Sequence, residues 1–70
     1  MMTKETIKVD GMSCGHCSAA VEGALLKING VEKAVVSLDD KQVVIEFDGE
    51  KVNVDKLKNE IEDIGYDVVS

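Results

Sequence analysis

The chain reads as an α+β domain of order βαββαβ, and three features of the sequence predict it. Three short runs alternate as strands do and a fourth closes the chain, two longer runs carry the 3.6-residue period of a helix, and glycine, Asp or Asn stands at each join. Seventy residues suffice for one such unit, so 1–70 is read as a single domain. A chain of this size buries only about 60% of its unfolded surface. It has no room beside its core for a substrate cavity of the usual ~300–1,000 Å³, and a surface site is expected.

Residues 4–10 alternate, with Ile7 and Val9 on one side and Thr6, Lys8 and Asp10 on the other, as in a half-buried strand; Gly11 breaks the pattern. Over about 15–28, Cys17, Ala20, Val21, Ala24, Leu25 and Ile28 fall on one side of a helix, with Ser18, Glu22 and Lys27 off it. Leu26 falls on the outer side with Ala19, where it either packs at the helix end or belongs to a docking surface. Asn29-Gly30 is the expected stop, because glycine takes the left-handed conformation there. Residues 31–38 turn Ala34, Val36 and Leu38 inward, Asp39-Asp40 makes a tight connection, and 41–47 turn Val43, Ile45 and Phe47 inward, which together form a hairpin. After the loop Asp48-Gly49-Glu50, Asn53 is the expected N-cap of a second helix, with Asp55 in its first turn and Val52 and Leu57 placed for a hydrophobic staple. Val54, Leu57, Ile61 and Ile64 make its inward stripe, Gly65 ends it, and 66–69 form a last strand. Two βαβ halves in tandem define the ferredoxin-like βαββαβ sandwich. Both helices then cover one face of a four-stranded antiparallel sheet, and Val35 and Val44 lie on the open face.

Fourteen Asp and Glu stand against eight Lys, with no Arg, for a net charge of −6. Nucleic-acid binding wants a basic patch, so no nucleic-acid partner is expected. An acidic surface suits a basic patch on a protein partner, although solubility alone also accounts for such carboxylates. Glu60, Glu62 and Asp63 on the second helix are open to both readings. No apolar run exceeds three residues, against ~7–15 for a signal peptide and ~20 for a membrane span. The chain is therefore expected in the cytoplasm, without membrane insertion and with its cysteines as thiols.

Both cysteines lie in Gly11-Met12-Ser13-Cys14-Gly15-His16-Cys17, at the join between the first strand and the first helix. Four uses of Cys-x-x-Cys apply there. The first is metal binding. The spacing lets two sulfurs converge on one ion, and a helix N-terminus favours the thiolate form. Soft thiolates select Cu(I), Zn(II) or Fe–S iron. A closed zinc site wants four ligands and Fe–S clusters want four cysteines, whereas this chain has two cysteines and one histidine. Cu(I) accepts two or three soft ligands, as do Ag(I) and Hg(II). The second use is thiol–disulfide exchange, for which Cys14-Gly15-His16-Cys17 has suitable letters; the absence of Trp and Pro and the element order speak against a thioredoxin-type protein. Haem attachment needs His at residue 18, which is Ser, and a zinc ribbon lacks its second half.

The same run resembles the Gly-Met-x-Cys-x-x-Cys signature of heavy-metal-associated domains, and the likeness continues through Gly30-Val31 and Gly65-Tyr66 over nearly the whole chain. A free-standing domain of this kind is similar to a bacterial cytosolic copper chaperone. The resemblance implies that Cys14 and Cys17 bind Cu(I) and hand it to the N-terminal domains of a copper-transporting P-type ATPase by ligand exchange. It also admits a copper-bridged homodimer and action on a copper-responsive repressor. A domain cut from a transport ATPase, a mercury or silver carrier, and more remotely a dithiol redox protein are the alternatives.

Three neighbours of the pair carry two readings each. Met12 is a thioether donor by chemistry, but a Met in such a loop usually fills the core, as the resemblance also implies. His16 either supplies a third ligand or sits exposed and tunes thiolate basicity. Tyr66 is either an ordinary core aromatic or, by the resemblance, a residue beside the metal loop whose ring shields the site. Gly11 and Gly15 give the backbone freedom around it.

Overall fold

The structure, a computed structural model, describes residues 2–11 and 15–69, with side chains from Ser18 onward in the second stretch. The elements follow in the expected order: β1 (Met2–Asp10), α1 (Gly15–Leu26), β2 (Val31–Ser37), β3 (Gln42–Asp48), α2 (Val54–Ile64) and β4 (Asp67–Val68). The strands form one sheet in the order β2-β3-β1-β4, with every neighbouring pair antiparallel. Both helices contribute to a single core on one face of the sheet. Val21 and Leu25 of α1 and Leu57 and Ile61 of α2 meet Ile7, Val9, Ala34, Val43, Ile45 and Phe47 there. Val35, expected on the open face, is 46% exposed.

Local chemistry explains where the boundaries fall. β1 begins two residues before the alternating pattern does, because its backbone pairs with β3 as far as Met2 opposite Asp48. Lys41 takes φ +54° and belongs to the turn, so β3 starts at Gln42. α1 stops at Leu26, short of the expected Ile28. The chain then turns through hydrogen bonds from Ile28 N–H to the Leu25 carbonyl and from Val31 N–H to the Ile28 carbonyl, each 3.1 Å. Gly30 adopts the left-handed conformation at φ +106°, and a Cβ there would stand 2.8 Å from the Lys51 Cβ. Glycine at this position answers both to conformation and to close approach.

The buried face of α1 is narrower than expected. Val21 and Leu25 have no exposure, but Ala24 is half-buried and Ala20 lies in solvent. In β2 a bulge at Glu32 lets both Val31 and Ala34 face the core, since Val31 pairs with Phe47 and Lys33 with Glu46. α2 forms as the sequence predicts. Asn53 accepts a hydrogen bond from the Lys56 N–H at 2.9 Å, and Val52 and Leu57 are both buried as a staple requires. Gly65 takes φ +117°. Its N–H bonds the Glu62 carbonyl at 3.0 Å and the Tyr66 N–H bonds the Ile61 carbonyl at 3.4 Å, the two bonds of a Schellman motif.

Candidate functional site

The Cys-x-x-Cys segment bridges the end of β1 and the start of α1. Met12 and Cys14 lie outside the described residues, as do the side chains of His16 and Cys17; the backbone of Gly15, His16 and Cys17 forms the first turn of α1. Helix N-termini present free N–H groups and the positive end of the dipole. That places Cys17 on the part of a helix that stabilises a thiolate.

The strand that leads into this segment is held on both sides. On one side the Val9 N–H bonds the Lys41 carbonyl at 2.9 Å; on the other the Val69 N–H bonds the Lys8 carbonyl at 2.8 Å. Val9 pairs with Val68 and Asp10 with Asp67. β4 is only two residues long, yet it fixes the end of β1 where the loop departs. Gly11 follows at φ +95°, and the Tyr66 Cδ1 lies 3.5 Å from where a Cβ on Gly11 would be. Tyr66 thus stands beside the start of the loop while packing, half-buried, against the core. The Schellman turn after α2 delivers residue 66 to this end of the sheet.

Charge is concentrated beside the same join. Asp10 and Asp67 face each other directly across the β1–β4 pair, both exposed. Lys8, two residues earlier on the same face, directs its Nζ to Gln42 Oε1 at 2.9 Å and to the Asp40 carbonyl at 3.4 Å. The far end of the sheet is built differently. There the Asp48 carboxylate accepts a hydrogen bond from the Glu50 N–H at 3.0 Å, which, helped by the Lys51 charge, holds its pKa below the ordinary value. Leu26 also lies at the far end, 50% exposed, in a shallow groove with Met2, Ile28 and Val31. Glu60, Glu62 and Asp63 lie on the second half of α2.

One residue escaped the sequence reading. Glu22, placed off the buried side of α1, accepts a hydrogen bond from the Val36 N–H of β2 at 3.0 Å. The contact joins positions fourteen residues apart, and no local pattern announces it. Among the described residues no three or more His, Cys, Asp and Glu side chains are grouped to hold a metal ion. No helix among them is long and apolar enough to cross a membrane.

A ferredoxin-like sheet with a dithiol segment at the β1–α1 join describes a class of small metal-handling domains. Comparison with known proteins narrows it. Residues 6–67 match the model of the heavy-metal-associated domain. The copper chaperone CopZ of Staphylococcus aureus is 53% identical over 68 residues, which cover 97% of this chain and all of that protein. A solved CopZ metallochaperone superposes with a TM-score of 0.94 at 52% identity, over 96% of this chain and 100% of the other. The N-terminal domain of a potential copper-translocating P-type ATPase from Bacillus subtilis, solved in the Cu(I)-loaded state, superposes with a TM-score of 0.92 at 31% identity, over 97% of this chain and 85% of the other. The chain belongs to the heavy-metal-associated domain family.

Proposed function

We propose that this chain is a copper chaperone that binds Cu(I) through Cys14 and Cys17 in the cytoplasm and passes it to the N-terminal domains of a copper-transporting P-type ATPase. The observation that carries the reading is a Cys-x-x-Cys segment at the β1–α1 join of a chain that matches a copper chaperone from end to end. The donor set fits the ion. Two soft sulfurs suffice for a low-coordinate Cu(I) and fall short of the four ligands of closed structural zinc. The role is one of binding and transfer, not catalysis.

Transfer proceeds by ligand exchange. A thiolate of the partner forms a new Cu–S bond, and the bond to Cys14 or Cys17 then breaks, with copper remaining Cu(I) throughout. A likeness in fold between carrier and receiver, as with the Bacillus subtilis ATPase domain solved in the Cu(I)-loaded state, suits this step. In this reading Tyr66 shields the site from water and His16 tunes the basicity of the thiolates.

The test is an anaerobic titration of the reduced protein with Cu(I) against a chromogenic Cu(I) chelator, with Zn(II) in a parallel cell. About one Cu(I) per chain, lost in both Cys14→Ser and Cys17→Ser, with weak Zn(II), is the expected result. Failure to compete for Cu(I) overturns the reading. Tight Hg(II) uptake would then identify a carrier of another soft ion, and a reduction potential in the range of disulfide exchange catalysts would identify a redox protein.

A further inference from the structure

Glu22 reaches from α1 to the outer strand of the sheet. β2 stands last in the strand order and pairs with β3 on one side only. The Glu22 Oε2 accepts from the Val36 N–H on this strand at 3.0 Å, in a half-buried position. The carboxylate thereby ties a helix to the backbone of a strand that no further strand covers.

Of the described side chains of α1 only Val21 and Leu25 are buried; Ser18 is half-buried, and Ala19 and Ala20 are exposed. Gly23 has nothing within 4 Å of where its Cβ would be. The apolar packing of Val21 and Leu25 resists separation of the helix from the sheet, but apolar contact is not directional and resists sliding and rolling weakly. A charge-assisted hydrogen bond is directional and stronger than a neutral one. Glu22 lies five residues beyond Cys17, about 7.5 Å along the helix axis at 1.5 Å per residue.

We propose that Glu22 is a positioning residue for the Cys14/Cys17 pair: its bond to Val36 fixes α1 on β2 and so sets where the first helical turn sits against the end of β1. The proposal deepens the reading of Cys14 and Cys17 as a Cu(I) site and rests on it. What matters is an acceptor at the right reach. Glu22→Gln keeps both acceptor and reach, Glu22→Asp keeps the charge but loses a methylene, and Glu22→Ala loses everything.

Two measurements on the three variants test this. In the metal-free protein, amide exchange at Val36 and Ser18 is expected to quicken about tenfold in Glu22→Ala and Glu22→Asp, with Leu57 and Ile61 of α2 unchanged. Chelator competition is expected to show Cu(I) affinity lowered about tenfold in the same two variants and held within about twofold of the parent in Glu22→Gln. Equal quickening at Leu57 and Ile61 would mean a general loss of stability and overturn the proposal. So would a Glu22→Gln variant that behaves like Glu22→Ala, or unchanged Cu(I) affinity in all three. If the parent protein itself fails to bind Cu(I), the metal reading falls, and amide exchange still decides whether Glu22 holds the first turn of α1.

Discussion

The two helices lie on the same face of the same sheet and are built to different standards. α2 is fixed at both ends, by the Asn53 cap and by the Schellman turn at Gly65, and it buries Leu57 and Ile61 completely. α1 carries Gly23 in its interior, exposes Ala19, Ala20 and Leu26, and ends in an irregular turn. Yet α1 is the helix whose first turn carries Cys17. Stability and function are thus divided between them. On the reading proposed above, α2 is the firmly terminated helix and α1 the one whose first turn offers Cys17 to an exchange partner. Regions that serve binding are commonly drawn from the less stable parts of a fold.

The largest effect that tests this division is in α2. Leu57→Ala removes a fully buried side chain and is expected to cost about 2–5 kcal/mol, read from chemical denaturation. That is a large share of the total for so small a domain. Where the variant remains folded, Cu(I) stoichiometry is expected to stay at about one per chain. Loss of Cu(I) binding in a still-folded Leu57→Ala protein would break the division.

Opposite signs in the two helices give the next test. Asn53→Ala deletes the acceptor for the Lys56 N–H and is expected to destabilise by about 0.5–2 kcal/mol. Gly23→Ala fills open space on an exposed helix face and is expected to stabilise by about 0.5–1 kcal/mol. If looseness in α1 serves exchange, Gly23→Ala also slows Cu(I) transfer to an acceptor domain while leaving Cu(I) affinity unchanged. A stabilised variant with an undiminished transfer rate would make Gly23 a tolerated imperfection instead.

The same contrast explains what sequence alone could reach. α2 was legible in detail because its cap, staple and stop are local signals, each a residue type at a fixed offset. The inward residues of β3 were legible because alternation is strict, and Val43, Ile45 and Phe47 are all buried. α1 was read too long and too wide, since Ala20 satisfies the helix period without being covered. The Glu32 bulge and the extension of β1 to Met2 are decided by backbone pairing with β3, which side-chain pattern does not record. The dithiol stood out by spacing. Its neighbours did not: the Tyr66 ring reaches Gly11 only once β4 has paired with β1, and Glu22 finds Val36 only after α1 has docked on β2.

The two ends of the sheet supply the smallest and most specific predictions. At the loop end, Asp10 faces Asp67 with no intervening residue. Like charges directly opposite on paired strands are unfavourable, so Asp10→Asn is expected to stabilise by about 0.2–1 kcal/mol at low ionic strength and by less as salt screens the pair. At the far end the sign reverses. The Glu50 N–H and Lys51 hold the Asp48 pKa below its ordinary value of 3.8. A carboxyl whose folded pKa is depressed contributes stability above the unfolded pKa and loses it as pH falls through the folded one. Asp48→Asn therefore loses a contribution at neutral pH that the parent loses only in acid, and the two denaturation curves are expected to converge below about pH 4, near the reference carboxylate range. Asp48 is half-buried at the surface, where solvent still screens its charge, so the gap is small. If instead Asp10→Asn and Asp48→Asn shift stability in the same direction at neutral pH, the charges at the loop end are not in mutual repulsion.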